Sequence, residues 1–144
     1  MAIFISGTKC KTCGKTIDNV TDAVLFPAFI INEVDPLIVF NDSAMHRVCF
    51  SKHPDNSRVT ELLRQLECKI NSQNRVCDLC HNRIMDPDDY LLHACLSSRR
   101  DELSEYNCKQ YHKSCFVGSI LQKRIKALIN KLKDDGLWSS KLQI

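Results

Sequence analysis

Cys77-Asp78-Leu79-Cys80, answered downstream by His112-Lys113-Ser114-Cys115, is the stretch on which the fold turns. A Cys-x-x-Cys turn brings two sulfurs to one side of a tight loop. A His-x-x-Cys pair in the first turn of a helix sets two further donors on one face. Three sulfurs and one imidazole nitrogen then surround one point, a donor set suited to a tetrahedral zinc ion. The arrangement occurs twice. Cys10-Lys11-Thr12-Cys13 is answered by His46-Arg47-Val48-Cys49 in the first half of the chain.

Working outward, the halves can be laid over each other. Cys10, Cys13 and Ile17 fall on Cys77, Cys80 and Ile84 at an offset of 67. Phe40, His46, Cys49 and Phe50 fall on Tyr106, His112, Cys115 and Phe116 at an offset of 66. One residue of length change in a connecting loop is what a duplicated module tolerates best. Residues 2–6 are expected to form a short apolar strand before the first knuckle. Gly14 follows Cys13, where a left-handed backbone lets amides point back at the sulfurs, and His81-Asn82 takes that place in the second copy.

Between the ligand pairs the composition predicts β-hairpins. Ala23 to Ile31 is rich in β-forming residues, with Pro27 marking an edge or a bulge, and Leu37 to Phe40 reads as the returning strand. Asn32-Glu33-Val34-Asp35-Pro36 is the turn between them. The second copy repeats this with Tyr90 to Leu96, a polar loop from Ser97 to Glu102, and Leu103 to Tyr106. Pro54-Asp55-Asn56-Ser57 ends a short helical turn and caps a new helix, on which Val59, Leu62, Leu63, Leu66 and Ile70 share one face. After Cys115 an unbroken helix is expected, with Val117, Ile120, Leu121, Ile125, Leu128, Ile129 and Leu132 as its stripe. Gly136 stops it, and Trp138 tucks back onto apolar surface.

At 144 residues with nine cysteines, two modules of about half the length each need a staple, because units of roughly 60–70 residues bury only about 60% of their unfolded surface. Met1-Ala2-Ile3-Phe4-Ile5 has no basic start, and its apolar run stops at Ser6-Gly7, too short for a secretory signal. No stretch approaches the ~20 apolar residues of a membrane span. The expected setting is therefore cytoplasmic, with reduced thiols and metal in place of disulfides. Ligand thiolates and two dipositive ions together take two charges off the formal +3, so bulk charge makes no case for nucleic acid. Positive charge is concentrated late, on Lys123, Arg124, Lys126, Lys131 and Lys133.

Knuckle, hairpin and a helix carrying the second ligand pair resemble the treble-clef zinc finger. The Cys-x-x-Cys and His-x-x-Cys pairs, with this order of elements, are similar to halves of LIM domains and to the C-terminal fingers of vacuolar-sorting tethering subunits. The resemblance implies a small, metal-stabilised α+β fold of two treble-clef modules in tandem, residues 1–74 and 75–144. It also implies two structural zinc ions, held by Cys10, Cys13, His46 and Cys49 and by Cys77, Cys80, His112 and Cys115. A fold group of this kind says little about activity.

Four ligands close a coordination sphere, whereas a catalytic zinc keeps a position open, so structural zinc is favoured over iron or a redox dithiol. Sequential pairing, one site per copy, is favoured over a cross-braced arrangement that would join Cys10 and Cys13 to Cys77 and Cys80. Cys77 to His81 also matches the attachment motif for c-type haem, which would require export. Cys68, Cys95 and Cys108 are left over, with His93 nearby. A Cys/His nucleophile is conceivable, but burial is the commoner fate of a free cysteine. The functional expectation is a non-catalytic adaptor or regulatory protein that binds another protein. Nucleic-acid binding by the basic last helix comes second, and a RING-like ligase adaptor or thiol enzyme third. Apolar helix faces left over after folding would serve a homo-oligomer.

Overall fold

The computed structural model describes residues 4–140, and within them the duplication is visible element by element. Strands β1 (Ala23–Phe26) and β2 (Ser43–His46) pair antiparallel, followed by the short helix α1 (Arg47–Ser51) and the long helix α2 (Asn56–Ile70). The second half repeats this as β3 (Tyr90–Leu92), β4 (Gln110–His112), α3 (Lys113–Phe116) and α4 (Ile120–Asp134). It is a small α+β architecture with two separate two-stranded sheets. The first core position of the long helix matches across the copies, and the next is shifted. Val59 and Leu66 of α2 sit in the first core, and Ile125 and Ile129 of α4 in the second. The sequence places Val59 on Ile125 and Leu63 on Ile129 at an offset of 66.

The returning strands lie elsewhere than expected. Pro36–Phe40 and Glu102–Tyr106 are 3₁₀ helices, and the strands follow them, running straight into His46 and His112. Local capping explains the difference. The Asp35 carboxylate accepts the Leu37 N–H at 2.9 Å, and the Asp101 carboxylate accepts the Ser104 N–H at 3.0 Å, so each tract starts as a tight helix. Proline at the first helical position favours the same outcome in the first copy. One face of each 3₁₀ helix then points inward, burying Leu37 and Phe40 in one copy and Leu103 and Tyr106 in the other. The outgoing strands are also shorter than expected, ending at Phe26 and Leu92. Residues 4–6 form no strand, and the Thr8 hydroxyl instead closes a turn on the Ile5 carbonyl at 2.7 Å. Residues 1–3 lie outside the described part.

The last helix is broken after all. Gly118 adopts a left-handed backbone (φ 78°) between α3 and α4, and Ser119 caps α4 by accepting the Gln122 N–H. Gly136 (φ 67°) stops α4 as expected, with the Leu137 N–H returning to the Leu132 carbonyl at 2.7 Å.

An asparagine clamp at the same place in each copy fixes the hairpin loops. The Asn41 side chain accepts the Phe29 and Ile30 amides and donates to the Ile30 carbonyl. Asn107 does the same with Leu96 and Ser97. Three bonds per side chain use up most of what an amide can make. Asn107→Ala leaves two partly buried N–H groups unpaired. It is expected to cost about 1–3 kcal/mol, read as a lower denaturant midpoint with unchanged slope.

The halves are joined mainly through loops. Ile30 and Cys95 form a parallel bridge, in which Cys95 N–H donates to Phe29 at 2.9 Å and Ile31 N–H donates to Cys95 at 3.0 Å. The Asp35 carboxylate reaches across to the amide and hydroxyl of Ser98, and the Arg99 guanidinium to the Val34 carbonyl. Each interior borrows from the other half. Leu92, Ala94, Cys95 and Cys108 pack in the first core, and Ile31 packs against the second.

The tail is stitched in as well. Asn32 donates to the Leu137 carbonyl at 2.9 Å and accepts the Ser139 N–H at 3.1 Å, and Trp138 is buried. Trp138 is the single tryptophan, so it reports on this seam. Asn32→Ala is expected to red-shift its fluorescence and open it to a soluble quencher while the rest of the fold stays in place.

Candidate metal centres

Each centre begins as a knuckle closed by its own backbone. Cys10 N–H donates to Lys15 and Gly14 N–H to Cys10, both at 2.8 Å. In the second copy Cys77 N–H donates to Asn82 and His81 N–H to Cys77, both at 2.9 Å. The turn requires a left-handed residue after the second cysteine. Gly14 supplies it at φ 71°, and His81 adopts it at φ 60° in spite of its side chain. The strand before each helix delivers the histidine and α1 or α3 the last cysteine, three residues on.

The four donors of each copy meet. Cys10, Cys13, His46 and Cys49 form one group and Cys77, Cys80, His112 and Cys115 the other, each with its ligand atoms within 4.8 Å of one another. The clusters form within each copy and do not mix the copies. His46 Nδ1 lies 3.5 Å from Cys13 Sγ and 3.8 Å from Cys49 Sγ, and His112 Nδ1 lies 3.4 Å from Cys80 Sγ and 3.8 Å from Cys115 Sγ. Tetrahedral bonds of ~2.3 Å to sulfur and ~2.0 Å to nitrogen separate such atoms by about 3.5 Å. The donor sets therefore fit a zinc-sized cation.

The surroundings orient these groups. The far nitrogen of each imidazole faces a backbone carbonyl, His46 Nε2 at 3.2 Å from Thr16 and His112 Nε2 at 3.3 Å from Arg83. A proton held there would leave the Nδ1 lone pair for a cation among the sulfurs. Cys10 and Cys77 are buried, which raises a thiol pKa. The amides of Cys13, His46 and Thr12, and those of Cys80, His112 and Leu79, outweigh that and bring both thiols down to about 6. Burial and the neighbouring sulfurs push Cys49 and Cys115 up to about 11. The amides thus favour the thiolates of Cys10 and Cys77, and a dication at the focus would relieve the repulsion on Cys49 and Cys115.

No family model, curated protein or solved structure matches the chain.

The other singled-out residues are scattered. Lys123, Arg124, Lys126, Lys131 and Lys133 all lie exposed on the outer side of α4, and Arg124 pairs with Glu102 at 3.6 Å. Cys68 is exposed, contrary to the expected burial, because it sits on the flank of α2 outside the apolar stripe. Cys95 and Cys108 are buried, and burial raises their thiols to about 12 and about 11. His93 does not pair with either. It packs on Tyr111 and Phe116, with both ring nitrogens buried and without a hydrogen-bond partner. The Asn41/Asn107 clamps and the Asp35/Asp101 caps were equally available in the sequence, as polar residues repeating at an offset of 66 between apolar positions.

Proposed function

We propose that the chain is a zinc-stabilised, non-catalytic adaptor or regulatory module that binds another protein, each half a treble-clef finger around one structural zinc ion. The closed donor quartets carry this reading. Three sulfurs and a nitrogen fill a tetrahedral sphere and leave no position for a substrate or a nucleophilic water. When bound, the ion supplies cohesion, and the chain's own residues do the positioning. Thr16 and Arg83 carbonyls set the imidazoles, and the amides of His46 and His112 point at Cys10 and Cys77 sulfur at 3.4 Å. The apolar stripes of α2 and α4 are spent largely inside the chain. A homo-oligomer would have to use exposed residues such as Ile70, Val117 and Ile120. No described helix is long and apolar enough to cross a membrane.

Elemental analysis of the purified full chain should find two zinc ions per molecule. Affinity purification from the native source should recover a protein partner whose retention survives nuclease treatment. Zinc-free material that keeps its fold in strong chelator would overturn the structural-zinc reading. The exposed basic face of α4 favours nucleic acid as the second reading. Retention on heparin or DNA that weakens steeply with salt, and is lost on replacing Lys123, Lys126, Lys131 and Lys133, would put it first.

A further inference from the structure

The joint between the halves holds a feature that neither the fold nor the metal centres require. A cavity of about 480 Å³ lies where α2 faces the second hairpin loop, and Arg58, Arg99 and Arg100 line it together with Glu61, Ser97 and Ser98. The side chains of Arg58 and Arg100 make no hydrogen bond or ion pair with any described residue. Arg99 spends one terminal nitrogen on the Val34 carbonyl, while its Nε is buried without a partner. The nearby acids are engaged elsewhere. Glu61 holds Arg64 and Gln65, Asp101 accepts from Ser97 and Ser104, and Asp35 accepts from Ser98 and Leu37. Glu61 is neutralised by Arg64, so the three guanidiniums outnumber the two carboxylates left beside them, Asp35 and Asp101, both turned to neutral hydroxyl and amide donors.

The internal duplicate shows that the scaffold does not demand this. At an offset of 66, Ser98-Arg99-Arg100 corresponds to Asn32-Glu33-Val34, so the first copy builds the same loop without an arginine. Arg58 corresponds to Arg124, which pairs with Glu102, but Pro36 stands where the first copy would need that acid. Arg58 is therefore left free to face the other half.

Planar guanidinium forks recognise tetrahedral oxyanions by paired N–H donors, a geometry that a lysine point charge does not offer. We propose that this cavity binds a phosphoryl group carried on a serine or threonine of a protein partner. No aromatic ring lines it, so it lacks the stacking platform of a surface that reads single-stranded nucleic acid. The proposal rests on the protein-binding reading only for the source of the phosphoryl group.

The test uses the zinc-loaded full chain, titrated with inorganic phosphate, a short phosphoserine peptide, its unphosphorylated form and a single-stranded oligonucleotide. Arginine side-chain N–H resonances and calorimetry are the readouts. The expected result is a saturable shift of the Arg58, Arg99 and Arg100 signals with the phosphopeptide, at least tenfold tighter than with inorganic phosphate. The unphosphorylated peptide should give none. Arg58→Glu with Arg100→Glu, both with side chains that hold no hydrogen bond or ion pair in the fold, should lower that affinity at least tenfold at unchanged melting temperature and zinc content.

Absence of a saturable shift up to 10 mM ligand, or undiminished affinity in the double variant, overturns the site. Equal affinity for free phosphate, or tighter binding of the oligonucleotide that the double variant abolishes, overturns the phosphopeptide assignment. A failed affinity purification alongside intact phosphopeptide binding would count against the adaptor reading alone.

Discussion

Cys115→Ser is expected to take up one zinc ion per chain instead of the two proposed and to unfold the second half. A serine oxygen is a poor substitute for thiolate on zinc, and a three-donor site loses most of its hold. Such sites contribute ~10–16 kcal/mol of apparent binding energy at neutral pH, as much as the whole net stability of a typical domain at ~5–15 kcal/mol. From sequence alone the first half would be expected to carry on undisturbed. The joint changes that expectation. Leu92, Ala94, Cys95 and Cys108 belong to the first core, so their loss should lower the melting temperature of the half that keeps its metal. Elemental analysis, helix content and a melting curve of the variant together read this out. Two retained ions with full helix content would show that Cys115 is not a ligand.

His93→Phe is expected to stabilise the protein and to flatten its response to acid. His93 stands where the first copy has Phe26, and the ring neighbours match. Phe26 lies 5.0 Å from Phe50, and His93 lies 4.9 Å from Phe116. A phenyl ring suits this cage, whereas imidazole buries two nitrogens without partners. Relieving them should gain about 1–3 kcal/mol at neutral pH.

Burial holds the folded His93 pKa down to about 4, against 6.5 for a free imidazole. Above pH 6.5 the ring is neutral in both states and pH has no effect through it. Between 6.5 and 4 the unfolded chain binds a proton that the folded chain refuses. Stability therefore falls through that window by about 3 kcal/mol in all, and below it the loss is complete. The metal ligands also take up protons on acidification, so the informative quantity is the difference between parent and variant across the window. Parallel pH curves would mean that His93 does not titrate as its burial dictates.

The two donor clusters were legible in the sequence because their information is local. Spacing of two intervening residues, donor type and repetition fix the donors without reference to any distant contact. The long amphipathic helices were legible for the same reason. The 3₁₀ segments were not, since Leu37 to Phe40 and Leu103 to Tyr106 have strand-like composition, and a single capping aspartate upstream decides otherwise. The break at Gly118 was hidden because its flanking apolar residues keep helical spacing across it. The joint was least legible. Asn32, Glu33 and Val34 are turn residues by composition, and only the folded chain shows that they bind the other half and the tail. His93 was noticed as a partner for cysteines. Its alignment with Phe26 at an offset of 67 was there to be read, and it marks the ring as a core position.

The bridge from Ile30 to Cys95 bears on how this chain can accumulate changes of length. Hairpin tips ordinarily absorb insertions because they face solvent. Here the tip of the first hairpin is mortar, and one extra residue between Asn32 and Val34 would pull Asp35 away from Ser98 or slide Val34 out of reach of Arg99. Descendants of this sequence should keep that tip at fixed length and lengthen elsewhere.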